Sequence, residues 1–244
     1  MGDNTGIEWT DATWNPVTGC NKVSAGCKNC YAEKMAERLQ KMGQANYRNG
    51  FEVTLQPHML DIPKRWTRPR RIFVNSMSDL FHKDVPDEYI KQVFDVMRSC
   101  PQHTFQVLTK RIQRLVEYSN RYRGGLYAEN VWIGVSVENE EQTARIEHLN
   151  DAHCFMKFIS AEPLLGQLNL SPAQLEFIDW VIVGGESGPN HRPIQAEWVL
   201  DIRDTCTLSN TAFFFKQWGG MRPKSNGSLL NGKEYKEFPT GKKS

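Results

Sequence analysis

The chain has 244 residues and a mass of 28.1 kDa, with 39% hydrophobic and 24% charged residues, which is the composition of a folded domain with a sizeable core. Thirty Lys and Arg against 28 Asp and Glu leave a net charge of +2, so overall charge selects no polyanionic partner and any such partner must be read from local patches. No run approaches the ~18 apolar residues of a membrane span. The opening Met1-Gly2-Asp3-Asn4-Thr5-Gly6 lacks the basic and apolar regions of a signal peptide, so a cytoplasmic protein with no membrane contact is expected. Six cysteines are too few for a disulfide scaffold; in a reducing compartment, a tight cysteine group points to metal or redox chemistry.

In chain order, short runs rich in β-branched and aromatic residues predict strands at Thr13–Val17, Ile72–Met77, Thr104–Thr109, Val131–Val137, Phe155–Ser160, Trp180–Gly184 and Ala212–Trp218. Most are continuously apolar, as strands covered on both faces of a parallel sheet are. Between them, polar periodic stretches predict helices over Cys27–Met42, Pro86–Ser99, Lys110–Tyr122, Asn139–Asn150, Pro172–Phe177 and Ala196–Thr207. Such alternation builds a parallel α/β sheet with right-handed crossovers, either an open doubly wound sheet or a barrel. About seven strands favour a partial or complete (β/α) TIM-type barrel. Without a composition break, residues 1–220 read as one domain; 221–244, polar and rich in Gly and Lys, read as an extended or partly mobile tail.

Cys20, Cys27 and Cys30 stand just after the first strand, with six residues and then two between them. A two-residue gap brings two sulfurs onto one metal, and the glycines at 19 and 26 let Cys20 fold back to join them. The nearest histidine in sequence is His58, and Cys100, Cys154 and Cys206 lie far along the chain, so no fourth ligand is at hand. Three ligands with one open position indicate a working metal site rather than a closed structural one. Two metals fit: a [4Fe–4S] cluster with one iron free for a small molecule, or a zinc with bound water. A deaminating zinc centre would need a His-x-Glu partner, which is missing.

At these residues the chain resembles the radical S-adenosylmethionine superfamily, whose members carry three cysteines after the first strand of a partial barrel. It is more closely similar to the phage and bacterial Gp37/Gp68 family, through Ile7-Glu8-Trp9-Thr10-Asp11, the cysteine loop, Phe73-Val74-Asn75-Ser76-Met77-Ser78-Asp79, Ser160-Ala161-Glu162-Pro163, Gly184-Gly185-Glu186-Ser187-Gly188 and Phe215-Lys216-Gln217-Trp218-Gly219. The superfamily resemblance implies a [4Fe–4S] cluster on Cys20, Cys27 and Cys30 that binds S-adenosylmethionine and cleaves it reductively to a 5′-deoxyadenosyl radical. It also implies an electron donor such as a flavodoxin or ferredoxin. The chain departs from the usual superfamily pattern in its six-residue first gap, in Asn29 with Tyr31 after the last cysteine, and in placing Gly-Gly-Glu after the sixth strand rather than the second.

In barrels, the active site lies where the C-terminal ends of the strands meet their loops. That rule makes Tyr31, Ser76, Asp79, Ser136, Glu138, Glu162, Gly184, Gly185 and Glu186 the candidate cofactor contacts. Glu162 and Glu186 are the strongest for the cofactor's ribose or amino group, and the glycines admit close backbone approach. Lys110, Arg111 and Lys216 are candidates for an anionic substrate or for the cofactor carboxylate. The stretch from Pro63 to Arg71 carries five cations and Trp66, so it could follow a phosphate backbone and stack a base. It precedes the second strand, however, on the face opposite the expected site. A radical enzyme acting on a nucleotide or nucleic acid is the leading reading. A zinc-binding nucleic-acid module and a zinc-dependent hydrolase are the alternatives.

Overall fold

A computed structural model describes residues 5–122 and 124–241; Met1–Asn4 of the opening segment and the last three residues of the C-terminal stretch lie outside the described residues. The main sheet takes β1 (Ala12–Trp14), β4 (Arg71–Val74), β5 (Thr104–Thr109), β6 (Val131–Ser136), β7 (Met156–Ala161), β8 (Trp180–Gly184) and β9 (Ala212–Gln217), neighbours in that order and all parallel. A two-residue antiparallel ribbon, β2 (Val17–Thr18) with β3 (Thr54–Leu55), completes the strands. Among the described residues, five α-helices fill five of the six crossovers: α1 (Tyr31–Lys41), α2 (Asp87–Arg98), α3 (Ile112–Arg121), α4 (Ala144–Asp151) and α5 (Ala196–Leu208). Doubly wound sheets reverse their strand order at a switch point. This order never reverses, so the fold is the partial (β/α) TIM-type barrel expected, and the open doubly wound alternative is excluded.

Two compact units divide the chain. The first holds Met1–Val23, Cys30–Ile133 and Ala152–Phe155, and the second holds Ser24–Asn29, Gly134–Asp151 and Met156–Ser244. In the first, Trp14 of β1 is fully buried against Phe105 of β5 at 5.9 Å between ring centroids, and its indole N–H donates to the Met59 carbonyl at 2.7 Å. Helix α2 starts behind Pro86 with Asp87 and Glu88 in its first turn and Arg98 in its last, which suits the helix dipole. It buries Tyr89, Ile90, Val93, Phe94 and Met97, the spacing of one helical face. In the second unit all five residues of β8 are buried, and Trp180 packs edge-on to Phe214 of β9 at 5.9 Å.

Several element boundaries differ from those read in the sequence. The first predicted strand splits at Pro16, which has no N–H for a ladder, into β1 in the main sheet and β2 in the ribbon. Strand β4 ends at Val74 because Asn75 takes a left-handed conformation, φ 60°. Pro172–Phe177 forms consecutive turns rather than a helix. After Gly220 the chain returns to the sheet: Lys236 forms an antiparallel bridge with Phe214, the Tyr235 carbonyl accepts from Phe215 N at 2.8 Å, and Leu230 is fully buried. Aromatic and apolar side chains within this polar stretch give it that anchorage. Among the described residues, no helix is long and apolar enough to cross a membrane.

Gly134 of β6 faces Phe158 of β7, and a Cβ there would lie 2.4–2.6 Å from three atoms of that fully buried ring. Gly134→Ala should destabilise the chain by about 1–3 kcal/mol through overpacking. Denaturant unfolding checks this, and Phe158→Leu in the same chain should recover part of the loss.

Candidate functional site

In the first unit the ends of β1, β4 and β5 fix the start of the cysteine loop. Asn75 N donates to the Trp14 carbonyl at 2.8 Å, and Asn15 Oδ1 accepts from Ser76 Oγ at 3.2 Å and Met77 N at 3.1 Å. Gly19 N donates to Met77 O at 3.0 Å and Cys20 N to Phe51 O at 3.1 Å, so the backbone at Cys20 is held from both sides. Its sulfur meets Arg111 Nη1 at 3.4 Å. Arg111 follows β5 and pairs with Asp79, the carboxylate after β4, at 3.1 Å. Asp79 also accepts from Phe81 N, Thr109 Oγ1 and Lys110 N at 2.8–3.0 Å. At the head of α1, the Tyr31 hydroxyl donates to the Ser76 carbonyl. Burial pushes the Cys20 thiol up to about 11, the guanidinium only partly opposing it, so the thiol is protonated at neutral pH and would release a proton on binding metal.

In the second unit the segment bearing Cys27, a short turn at Ala25–Cys27, rests on the carboxylates that follow β6 and β8. Glu138, fully buried, accepts from the Ser24 hydroxyl at 2.6 Å and from Arg145 at 2.8 Å. Gly26 lies so close to it that a Cβ would sit 2.4 Å from Oε1. Glu186 accepts from Asn29 Nδ2 at 2.9 Å and from Arg192, whose Nη1 reaches the Ala25 carbonyl at 3.0 Å. Burial would raise the Glu186 carboxyl, yet the Arg192 and Asn29 hydrogen bonds overcome it and hold the group at about 2. After β7, Glu162 accepts from Ser160 Oγ at 3.2 Å and pairs with Lys216 of β9 at 3.0 Å.

Apart from Tyr31, which opens α1, the cofactor and substrate candidates lie at or just beyond the C-terminal ends of strands, and much of their hydrogen bonding is within the protein. Asp79, Glu138, Glu162 and Glu186 each have a cationic partner from this chain. The Ser136 carbonyl accepts from Arg145 at 2.6 Å, the Gly184 carbonyl from Leu164 N at 2.9 Å, and Gly185 N donates to Gln217 O at 2.9 Å. Arg145, Arg192 and Asn29 were missed by sequence reasoning. Arg145 and Arg192 lie seven and six residues beyond their carboxylates, but local spacing alone does not mark which nearby cation turns inward. In the basic stretch, Lys64 pairs with Asp61, Arg71 with Asp11, and Arg70 lies over the Trp66 ring at 5.1 Å; Lys64, Arg65 and Arg68 are exposed.

Cys20, Cys27 and Cys30 are thiols of intermediate exposure, whereas Cys100, Cys154 and Cys206 are buried, and none of the six is in a disulfide among the described residues. Among the described residues no three His, Cys, Asp or Glu side chains are grouped as a ready-made metal site. The fit to an iron–sulfur cluster is one of donor chemistry: three unbridged, half-buried thiols within eleven residues of chain.

Breaking either carboxylate pair should be measurable. Arg145→Leu leaves the Glu138 charge buried without its cation and should cost about 3–5 kcal/mol in unfolding free energy, with Glu138→Gln in the same chain restoring part of it. The Glu186 carboxyl falls from its ordinary 4.5 to about 2 on folding, so its contribution is complete above pH 4.5 and disappears as pH falls through 2. With Arg192→Ala, burial prevails, and the acid limb of the pH–stability curve should move to higher pH; an unmoved limb would show that this pair contributes nothing.

Among solved structures, the chain is similar to spore photoproduct lyase complexed with dinucleoside spore photoproduct, at 12% identity and a TM-score of 0.44, covering 78% of this chain and 58% of that one. A point mutant of spore photoproduct lyase is similar at 10% identity and a TM-score of 0.49, over 83% of this chain and 75% of that one. No curated protein matches. One family model spans residues 4–239, almost the whole length that carries the sheet and the cysteine loop, and the chain belongs to that family, described as protein of unknown function (DUF5131).

Proposed function

We propose that this protein is an iron–sulfur enzyme of the radical S-adenosylmethionine type, with Cys20, Cys27 and Cys30 as the cluster ligands. The observation that carries the reading is the separation of the six cysteines into two sets. Three are half-buried, outside any disulfide, and spaced six and two residues apart in the loop beyond the first strand of a sequentially wound parallel sheet; the other three are buried. Metal and redox cysteines need access, whereas packing cysteines do not. The resemblance to the Gp37/Gp68 family and to the radical superfamily belongs to this same reading.

When bound, the cluster and S-adenosylmethionine would supply a radical able to take a hydrogen atom from a substrate. The chain's part is to hold and shield. Asp79 and Arg111 fix Cys20, while Ser24 on Glu138 and Asn29 on Glu186 fix the segment that carries Cys27. Glu162 with Lys216, and the backbone at Gly184 and Gly185, are the contacts we assign to S-adenosylmethionine, together with Ser76, Ser136 and Tyr31. A nucleotide or nucleic-acid substrate is supported by Lys110, a cation at the C-terminal end of β5. A flavodoxin or ferredoxin is the electron donor that this chemistry calls for.

Anaerobic reconstitution with iron and sulfide tests the reading. The expected product is brown, with broad absorption near ~400 nm from thiolate-to-iron charge transfer. Alanine at Cys20, Cys27 or Cys30 should abolish iron uptake, and alanine at Cys206 should leave it unchanged. The loaded protein should release 5′-deoxyadenosine from S-adenosylmethionine with dithionite as reductant. A colourless protein holding one zinc, or full iron in Cys27→Ala, would overturn the assignment.

A further inference from the structure

Arg111 is a largely buried cation with an unusual set of partners. Its side chain is 13% exposed and that of Asp79 7%. Nη1 donates to Asp79 Oδ2 at 3.1 Å and to Cys20 Sγ at 3.4 Å, and Nη2 donates to the Asn21 carbonyl at 3.2 Å and to Asn21 Oδ1. The backbone is fixed as well, Arg111 N donating to Thr109 Oγ1 at 2.9 Å. Asp79 is anchored in turn by Phe81 N, Thr109 Oγ1 and Lys110 N. The guanidinium therefore cannot swing to solvent without leaving a buried carboxylate unpaired. A salt bridge needed only to join two strand ends would have no use for a further bond to a sulfur.

We propose that Arg111 is a positioning residue for the metal centre, orienting Cys20 by its N–H group and raising the centre's reduction potential through a fixed positive charge at that sulfur. The inference rests on the cluster reading given under Proposed function. In the one-electron reduction, an external reductant gives up one electron and the centre gains it, no covalent bond forms or breaks, and negative charge on the sulfurs rises. A cation hydrogen-bonded to one of those sulfurs stabilises the reduced form more than the oxidised one. Asp79, the next charge out, acts in the opposite sense.

The test is the midpoint potential of the reconstituted protein, read by electron paramagnetic resonance at a series of dithionite-poised potentials, with iron and sulfide counted per chain. Arg111→Gln should keep its iron and shift to a more negative potential, Arg111→Lys should fall between it and the unsubstituted protein, and Asp79→Asn should shift to a less negative one. A purely structural role would instead move iron content and leave the potential of the loaded fraction unchanged. Iron-loaded Arg111→Gln with an unchanged potential would overturn the inference alone; if Arg111→Gln takes up no iron, Asp79→Asn decides it, an unchanged potential there overturning it. Unsubstituted protein that takes up no iron would overturn the cluster reading itself.

Discussion

A carboxylate withdrawn from water must be given a partner, and this requirement organises the C-terminal ends of the strands. Leaving such a charge unpaired costs several kcal/mol, more than most single contacts return. The chain meets the demand four times, after β4, β6, β7 and β8, with Arg111, Arg145, Lys216 and Arg192 as the respective cations. Parallel strands all point their C-terminal ends the same way, so a carboxylate placed just after each strand recurs at equivalent positions of the fold. The cation comes each time from an element later in the chain. Each pair thereby ties a strand end to the structure that follows it.

Three of these pairs also reach the cysteine loop. Arg111 touches Cys20, Glu138 takes the Ser24 hydroxyl, and Glu186 takes the Asn29 amide. A loop with short side chains and glycines has little apolar surface to bury and cannot be ordered by packing alone. Hydrogen bonds to charged partners, roughly twice as strong as neutral ones, supply the order instead. The polar residues at the strand ends thus do two things. They satisfy one another, and they hold in place the segment that carries the thiols. Glu186 illustrates the balance: isolated at a strand end it could bind an amino group, but in the fold it is occupied by Arg192 and Asn29.

Much of the architecture was legible in the residue pattern. Trp180–Gly184 and Thr104–Thr109 were read with their observed bounds, because a run of large apolar residues between polar stretches has no other stable placement in a parallel sheet. Failures came where a single residue acts on the backbone. Pro16 divides one expected strand in two, and the left-handed Asn75 ends another early. Pro172–Phe177 has too few residues to stabilise a helix beyond its nucleation cost and turns instead.

By itself the sequence determined the alternation of strand and helix, the parallel character of the sheet, and the spacing of the three cysteines, since each is written in local periodicity or in the gap between neighbours. The tertiary structure decided the strand order, and with it the choice of barrel over doubly wound sheet, because alternation is the same in both. It also decided who pairs with whom. Asn29 and Glu186 meet across 157 positions, and Arg111 and Cys20 across 91. Periodicity reports which face a side chain occupies; which distant charge shares that face depends on how the strands are stacked, and only the folded chain fixes that.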